Sequence, residues 1–110
     1  MAAYFIVSYR VTNPAEFESY TPAVIPILQA AGCEVVVADY ASQAVEGEPG
    51  NVTVVLKFAS KEAGWAWYNS PEYQAIKHLR TDNSEGIAVM VDQWVPPATP
   101  AATAAASANG

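Results

Sequence analysis

The chain predicts an α+β fold of the ferredoxin-like βαββαβ kind, a four-stranded antiparallel sheet with two helices on one face. Three features point to it. Four runs dense in β-branched and aromatic residues stand at 4–11, 33–40, 52–58 and 87–95. Two stretches with apolar residues at helical spacing separate the first run from the second and the third from the fourth. The second and third runs are joined by the polar, Gly- and Pro-containing "VEGEPGN", which carries the turn chemistry of a long hairpin, so they pair antiparallel while the helical connections cross over.

Taken in order, "YFIVSYRV" is the first strand and ends at "TNP", where Asn13 can cap and Pro14 can open a helix. The helical pattern of 15–31 runs through Phe17, Tyr20, Val24, Ile27 and Leu28 and stops at Gly32. Pro22 and Pro26 inside it each remove a backbone donor, so a kink or a break with Thr21 as a new cap is expected. "CEVVVADY" and "VTVVLKF" are the hairpin strands. Ser60 caps the second helix, and Ser70 followed by Pro71 restarts it toward Arg80. "TDNSEG" closes it and "IAVMVDQWV" is the last strand. The body is one domain over 1–95, followed at 96–110 by a low-complexity Pro/Ala/Thr tail expected to be mobile.

Alternation along the strands assigns a core face containing Phe5, Val7 and Tyr9, then Val35 and Val37, then Val54 and Leu56, then Ile87, Val89 and Val91. The opposite face, with Tyr4, Ile6, Val36, Val55, Met90 and Trp94 beside Arg10, Lys57 and Asp92, is too apolar for a bare sheet surface. The expected cover is a second copy of the chain, making a homodimer through that open face. A bulge would shift the phase of any one strand.

The charge balance excludes several functions. Eleven acidic against five basic residues give a net charge of −6, which repels phosphate backbones, so no nucleic-acid partner is expected. The start "MAAYFIVSYR" has no basic leader region and no run is long enough to span a bilayer, so the expected location is cytoplasmic, with no membrane partner. Cys33 is the single cysteine and His78 the single histidine, which leaves no metal cluster; Cys33 is read as a small packed residue and His78 as exposed. There is no phosphate loop, nucleophile elbow or dinucleotide fingerprint, and no cofactor is implied.

The segment "WAWYNSPEY" at 65–73 holds four aromatic rings and a helix break. Trp67 falls on a different side of the helix from Trp65 and Tyr68, so one sheet cannot cover all three. The restarted helix turns Tyr73, Ile76, Leu79 and the stem of Arg80 inward, and the break gathers Tyr68, Ser70, Tyr73 and Arg80. These residues, with Phe17 and Tyr20, "AAG" at 30–32, "VEG" at 45–47 and "AWYNSPEYQ" at 66–74, resemble the family known as domain of unknown function thirteen-thirty. The likeness spans 4–95. Phe17 stands where the family spacing has a tyrosine, and His78 where the family has an aliphatic residue or proline. The resemblance implies a dimeric α/β barrel, an architecture shared with cofactor-independent monooxygenases, muconolactone isomerase-like enzymes and haem-handling relatives, and it implies no activity.

A pocket between sheet and helices, lined by aromatics with a few converging polar groups, is the expected site for a small apolar or aromatic ligand. The catalytic candidates are Glu46 as base or acceptor, Tyr73 as hydrogen-bond donor and Arg80 as clamp for a carboxylate or enolate; Tyr20, Tyr68 and Ser70 are the ligand-binding candidates. Each has a plainer reading. Glu46 is also a solvated hairpin charge or a partner for Arg80, the tyrosines are also buried hydroxyls, Ser70 is also a helix cap, and Arg80 is also a cation at a helix C-terminus. The residues alone leave two functions open: a binding module for a small aromatic or enolisable metabolite, or a cofactor-independent enzyme of monooxygenase or isomerase type acting on it.

Overall fold

The computed structural model describes residues 1–97. β1 (Ala3–Val11) is followed by the single turn α1 (Pro14–Phe17) and by α2 (Tyr20–Ala30). β2 (Glu34–Asp39) and β3 (Val52–Phe58) form the hairpin, and α3 (Lys61–Tyr68), α4 (Pro71–Ile76) and α5 (His78–Thr81) lead into β4 (Ser84–Asp92). The sheet is antiparallel throughout with strand order β2-β3-β1-β4, the α+β arrangement that the element order predicts. Among the described residues no helix is long and apolar enough to cross a membrane. The predicted tail lies, from residue 98 onward, outside the described residues.

Local chemistry explains most boundaries. Asn13 accepts from the Glu16 amide with Pro14 opening α1; Ser60 accepts from the Ala63 amide at the head of α3; Ser70 accepts from the Tyr73 amide at the head of α4. Gly32, at φ +71°, ends α2: its amide bonds the Gln29 carbonyl and the Cys33 amide bonds that of Leu28, a Schellman closure.

The first helix does break, but at Glu18–Ser19 rather than at a Thr21 cap. The reason is steric. A proline ring collides with the carbonyl four residues back, which for Pro22 is Glu18, so the turn is interrupted there and Pro22 falls in the first turn of α2, where its missing amide is no loss. The second helical region is likewise divided at Lys77 between α4 and α5.

Two strand phases differ from expectation. β4 begins three residues earlier than the sequence pattern suggests, pairing Ser84 with Val11, and the register sets Met90 beside Phe5 and Ala88 beside Val7. Met90 therefore belongs to the helix-covered face, where its sulfur lies against Gly64 of α3, and Ile87, Val89 and Val91 belong to the open face. In β2, Val35 pairs with Leu56 but Val37 pairs with Val55, so Val36 is an inserted bulge residue. After it Ala38 faces the helices and Val37 faces out, the reverse of simple alternation.

The core is aromatic. Trp67 contacts the Phe5 and Phe58 rings and stands 4.2 Å, centroid to centroid, from the Tyr73 ring, while Tyr9 and Phe17 extend the cluster toward α2. Trp65 lies outside, half exposed, edge-on to Tyr68. The chain also crowds the backbone of Tyr9 from two sides: a Cβ at Gly50 would sit 1.9 Å from the Tyr9 carbonyl carbon, and one at Gly86 would sit 2.1 Å from the Ser8 oxygen. Only glycine permits both approaches.

Because backbone, rather than a movable side chain, blocks the space at Gly50, Gly50→Ala is expected to lower stability by roughly 1–3 kcal/mol. Urea unfolding of the two proteins, compared at the same pH, measures it.

Candidate functional site

Helix α2 does not close down on the sheet. Between it and the inward faces of β1, β2 and β3 lies a cavity of about 170 Å³. Val24 and Leu28 come from the helix, Val35 from β2 before its bulge, and Val54 and Leu56 from β3, so the body of the cavity is aliphatic. Ala38 enters the lining because the bulge turns it inward, and its methyl leaves room that a larger residue would fill.

One end of this cavity is polar. Arg80, on the last helical turn before β4, is only 8% exposed and forms part of the wall. Its Nε donates to the Tyr73 hydroxyl at 3.3 Å, and Tyr73 in turn lies 2.9 Å, oxygen to oxygen, from Tyr20 at the head of α2. Tyr20 is thereby linked to Arg80 through the Tyr73 hydroxyl. Tyr9 and Tyr40 line the same region. Among the described residues no carboxylate pairs with Arg80; the ion pairs are Arg10–Glu85 and Lys61–Asp92, both well exposed. A buried guanidinium is thus held by neutral hydroxyls, an arrangement that leaves its charge uncompensated.

Two of these hydroxyls are held further from ionisation than a free phenol. Burial pushes Tyr9 up to about 12, reinforced by Tyr40 and opposed by the charge of Arg80. Burial also raises Tyr20, with Tyr73 adding to the effect. Burial by itself lowers the pKa of Arg80, but Tyr73 and Tyr20 outweigh it, and the guanidinium keeps its proton. The site is therefore one cation surrounded by hydrogen-bond donors, without a group in the lining that ionises to an anion near neutrality.

Of the six candidates, the structure brings Tyr20, Tyr73 and Arg80 together. Glu46 stays apart: it is exposed in the connection between β2 and β3 and makes no ion pair with Arg80. Ser70 is engaged in capping, accepting from the Tyr73 amide and donating to the Trp67 carbonyl at 2.7 Å. Tyr68 packs on Phe5 and Tyr73 and carries Lys77 over its ring at 5.3 Å, away from the cavity lining. His78 is exposed, and among the described residues no cluster of His, Cys, Asp and Glu can hold a metal. Cys33 has its thiol raised to about 11 by burial, which makes it a poor nucleophile. Tyr9 and Tyr40 were not among the candidates. The signal for Tyr9 was its place in the inward phase of β1, where a phenol is the one polar side chain on an apolar face.

The family model described as Domain of unknown function (DUF1330) matches residues 2–94. No curated protein matches the chain. Solved structures share the fold at low identity. A protein of unknown function from Rhodopseudomonas palustris is 13% identical, with a TM-score of 0.67 over 86% of this chain and 84% of that one. SnoaB, a cofactor-independent oxygenase from Streptomyces nogalater, is 13% identical, with a TM-score of 0.60 over 89% and 98%. A dimeric protein of unknown function with a ferredoxin-like fold from Bacteroides fragilis is 13% identical, with a TM-score of 0.59 over 84% and 96%.

A hydroxyl whose pKa is higher in the folded than in the unfolded chain contributes stability that is intact below the unfolded value and lost as pH rises through the folded one. For Tyr9 that window runs from 10.0 to about 12. Tyr9→Phe should lose stability less steeply than the wild type across it, read from urea midpoints taken at a series of alkaline pH values.

Proposed function

The chain belongs to the family described as Domain of unknown function (DUF1330), to which no activity is attached, and from its own cavity we propose that it binds a small apolar or aromatic metabolite between α2 and the sheet. The observation that carries this reading is the pairing of an aliphatic cavity with a single converging polar cluster, Arg80 and its tyrosines, at one end. Apolar walls supply affinity and the few polar groups orient the guest. Neither Glu46 nor a metal ion is needed for such binding.

The working unit we propose is a homodimer in the cytoplasm. Across the open face, Val37, Val55, Ile6 and Val89 lie in one row spanning all four strands, and Ile87 beside them is 69% exposed. Charged residues flank the row, with Glu34 opposite Lys57 in the strand register on one side and Arg10 bridged to Glu85 on the other. An apolar centre with a mixed-charge rim is the anatomy of a sheet-to-sheet interface. The dimeric structure from Bacteroides fragilis supports it.

A second reading is a cofactor-independent enzyme acting on the same guest. Tyr20 and Arg80 favour it, since both can stabilise an oxyanion that develops on an enolisable substrate. In that case Tyr20→Phe and Tyr73→Phe would depress turnover of an identified substrate more than its affinity.

Benzyl alcohol, followed by titration calorimetry, tests the cavity. Saturable binding to the wild type, abolished in Ala38→Phe while the thermal midpoint moves little, is the expected result; equal heats from both proteins would remove the binding reading. For the dimer, sedimentation should give twice the chain mass, and Val89→Glu should reduce it to one chain because it places a charge in the apolar row.

A further inference from the structure

We infer that the cavity selects a monoanionic guest with a compact apolar body, a monocarboxylate carrying about one ring or its equivalent in aliphatic carbon; this rests on the binding role proposed above. Sign comes first. The chain carries a net charge of −6, yet the residues lining the cavity include one arginine and no acidic side chain. The cavity is a positive pit in a negative molecule, which repels cationic guests and attracts anionic ones. A single guanidinium balances one charge, so a dianion would enter with one charge unpaired against apolar walls.

The proton arrangement in the cluster leads to the same ligand. The Tyr73 oxygen accepts from Arg80 Nε, and Tyr73 is fully buried, so its own proton must find a buried acceptor. The available one is Tyr20, 2.9 Å away. Tyr20 then accepts from Tyr73 and retains its own O–H, at a position that lines the cavity. A guest oxyanion reaching this end meets that O–H together with the remaining N–H groups of the guanidinium fork, a donor pair matched to a planar carboxylate. A neutral alcohol could use one of these donors but would leave the charge uncompensated. Burial moves Tyr9 and Tyr20 further above neutrality, so they donate to the anion instead of competing with it.

Size limits the rest. The volume is about 170 Å³, close to the about 150 Å³ of an engineered apolar cavity that binds benzene. One ring with a short carboxylate arm at the Arg80 end therefore matches the cavity, and long acyl chains or fused ring systems do not.

Benzoate, benzyl alcohol and benzylamine, of nearly equal size and differing in charge, test the selection by titration calorimetry. For the wild type we expect benzoate to bind at least tenfold tighter than benzyl alcohol and benzylamine more weakly than either. Arg80→Gln should bring the ratio of benzoate to benzyl alcohol affinity to near one. Equal affinities of benzoate and benzyl alcohol for the wild type would overturn the selection and leave the cavity's binding role standing, whereas binding of none of the three would overturn both. Should Arg80→Gln fail to fold, Tyr20→Phe, which removes one oxygen, should lower benzoate affinity roughly threefold to tenfold relative to benzyl alcohol. An undiminished preference in that variant would overturn the donor pair.

Discussion

The structure depends on a guanidinium that has been taken out of water without an anion to meet it. Moving an arginine into an apolar interior costs several kcal/mol unless its donors are satisfied. Here Arg80 donates to Tyr73 on α4, whose hydroxyl in turn bonds Tyr20 on α2, so the hydroxyls beside the charge also tie α2 to α4. Tyr73 reaches its place because Ser70 and Pro71 restart the helix at the right turn, and its ring is seated against Trp67. Capping, aromatic packing and charge placement are consequently one problem, and the cavity beside Arg80 is the space they leave.

The same economy shapes the sheet. One face carries Phe5, Val7, Tyr9, Val52, Leu56 and Phe58 into the core, and the other carries an apolar row across the full width of the four strands. The bulge at Val36 serves both faces at once: it turns Val37 into the outer row and brings Ala38 to the cavity, where a small side chain keeps the space open. Glycines at 50 and 86 let neighbouring backbone press close to Tyr9, which locates a phenol near the buried charge.

Elements with local causes were legible residue by residue. β3 spans the residues its β-branched run marks, and the caps at Asn13, Ser60 and Ser70 stand where their side chains and following residues place them, because a cap is a contact within one turn. That Tyr73 and Arg80 come together was legible from helical phase and the break at 69–71. Glu46 was not separable from them by sequence, since whether a hairpin connection folds over a helix or projects from the sheet leaves no periodic trace. The phase of β4 was misleading for a similar reason: Ile87, Val89 and Val91 look more like core than Ala88 and Met90 do, and hydrophobicity cannot tell a face buried by helices from one that is apolar for another purpose.

What the amino-acid order by itself determined is the succession of strands and helices, their caps and breaks, the absence of phosphate-loop or nucleophile motifs, and a surplus of apolar residues beyond what one core can use. These follow from interactions among residues a few positions apart and from composition. What only the tertiary structure decided is which face each strand turns inward, that α2 stands off the sheet, and that a chain of two tyrosine hydroxyls ends on one arginine with no acid among them. Those outcomes depend on register between strands distant in sequence and on a single inserted residue at Val36, where a shift of one position exchanges the two faces of a strand.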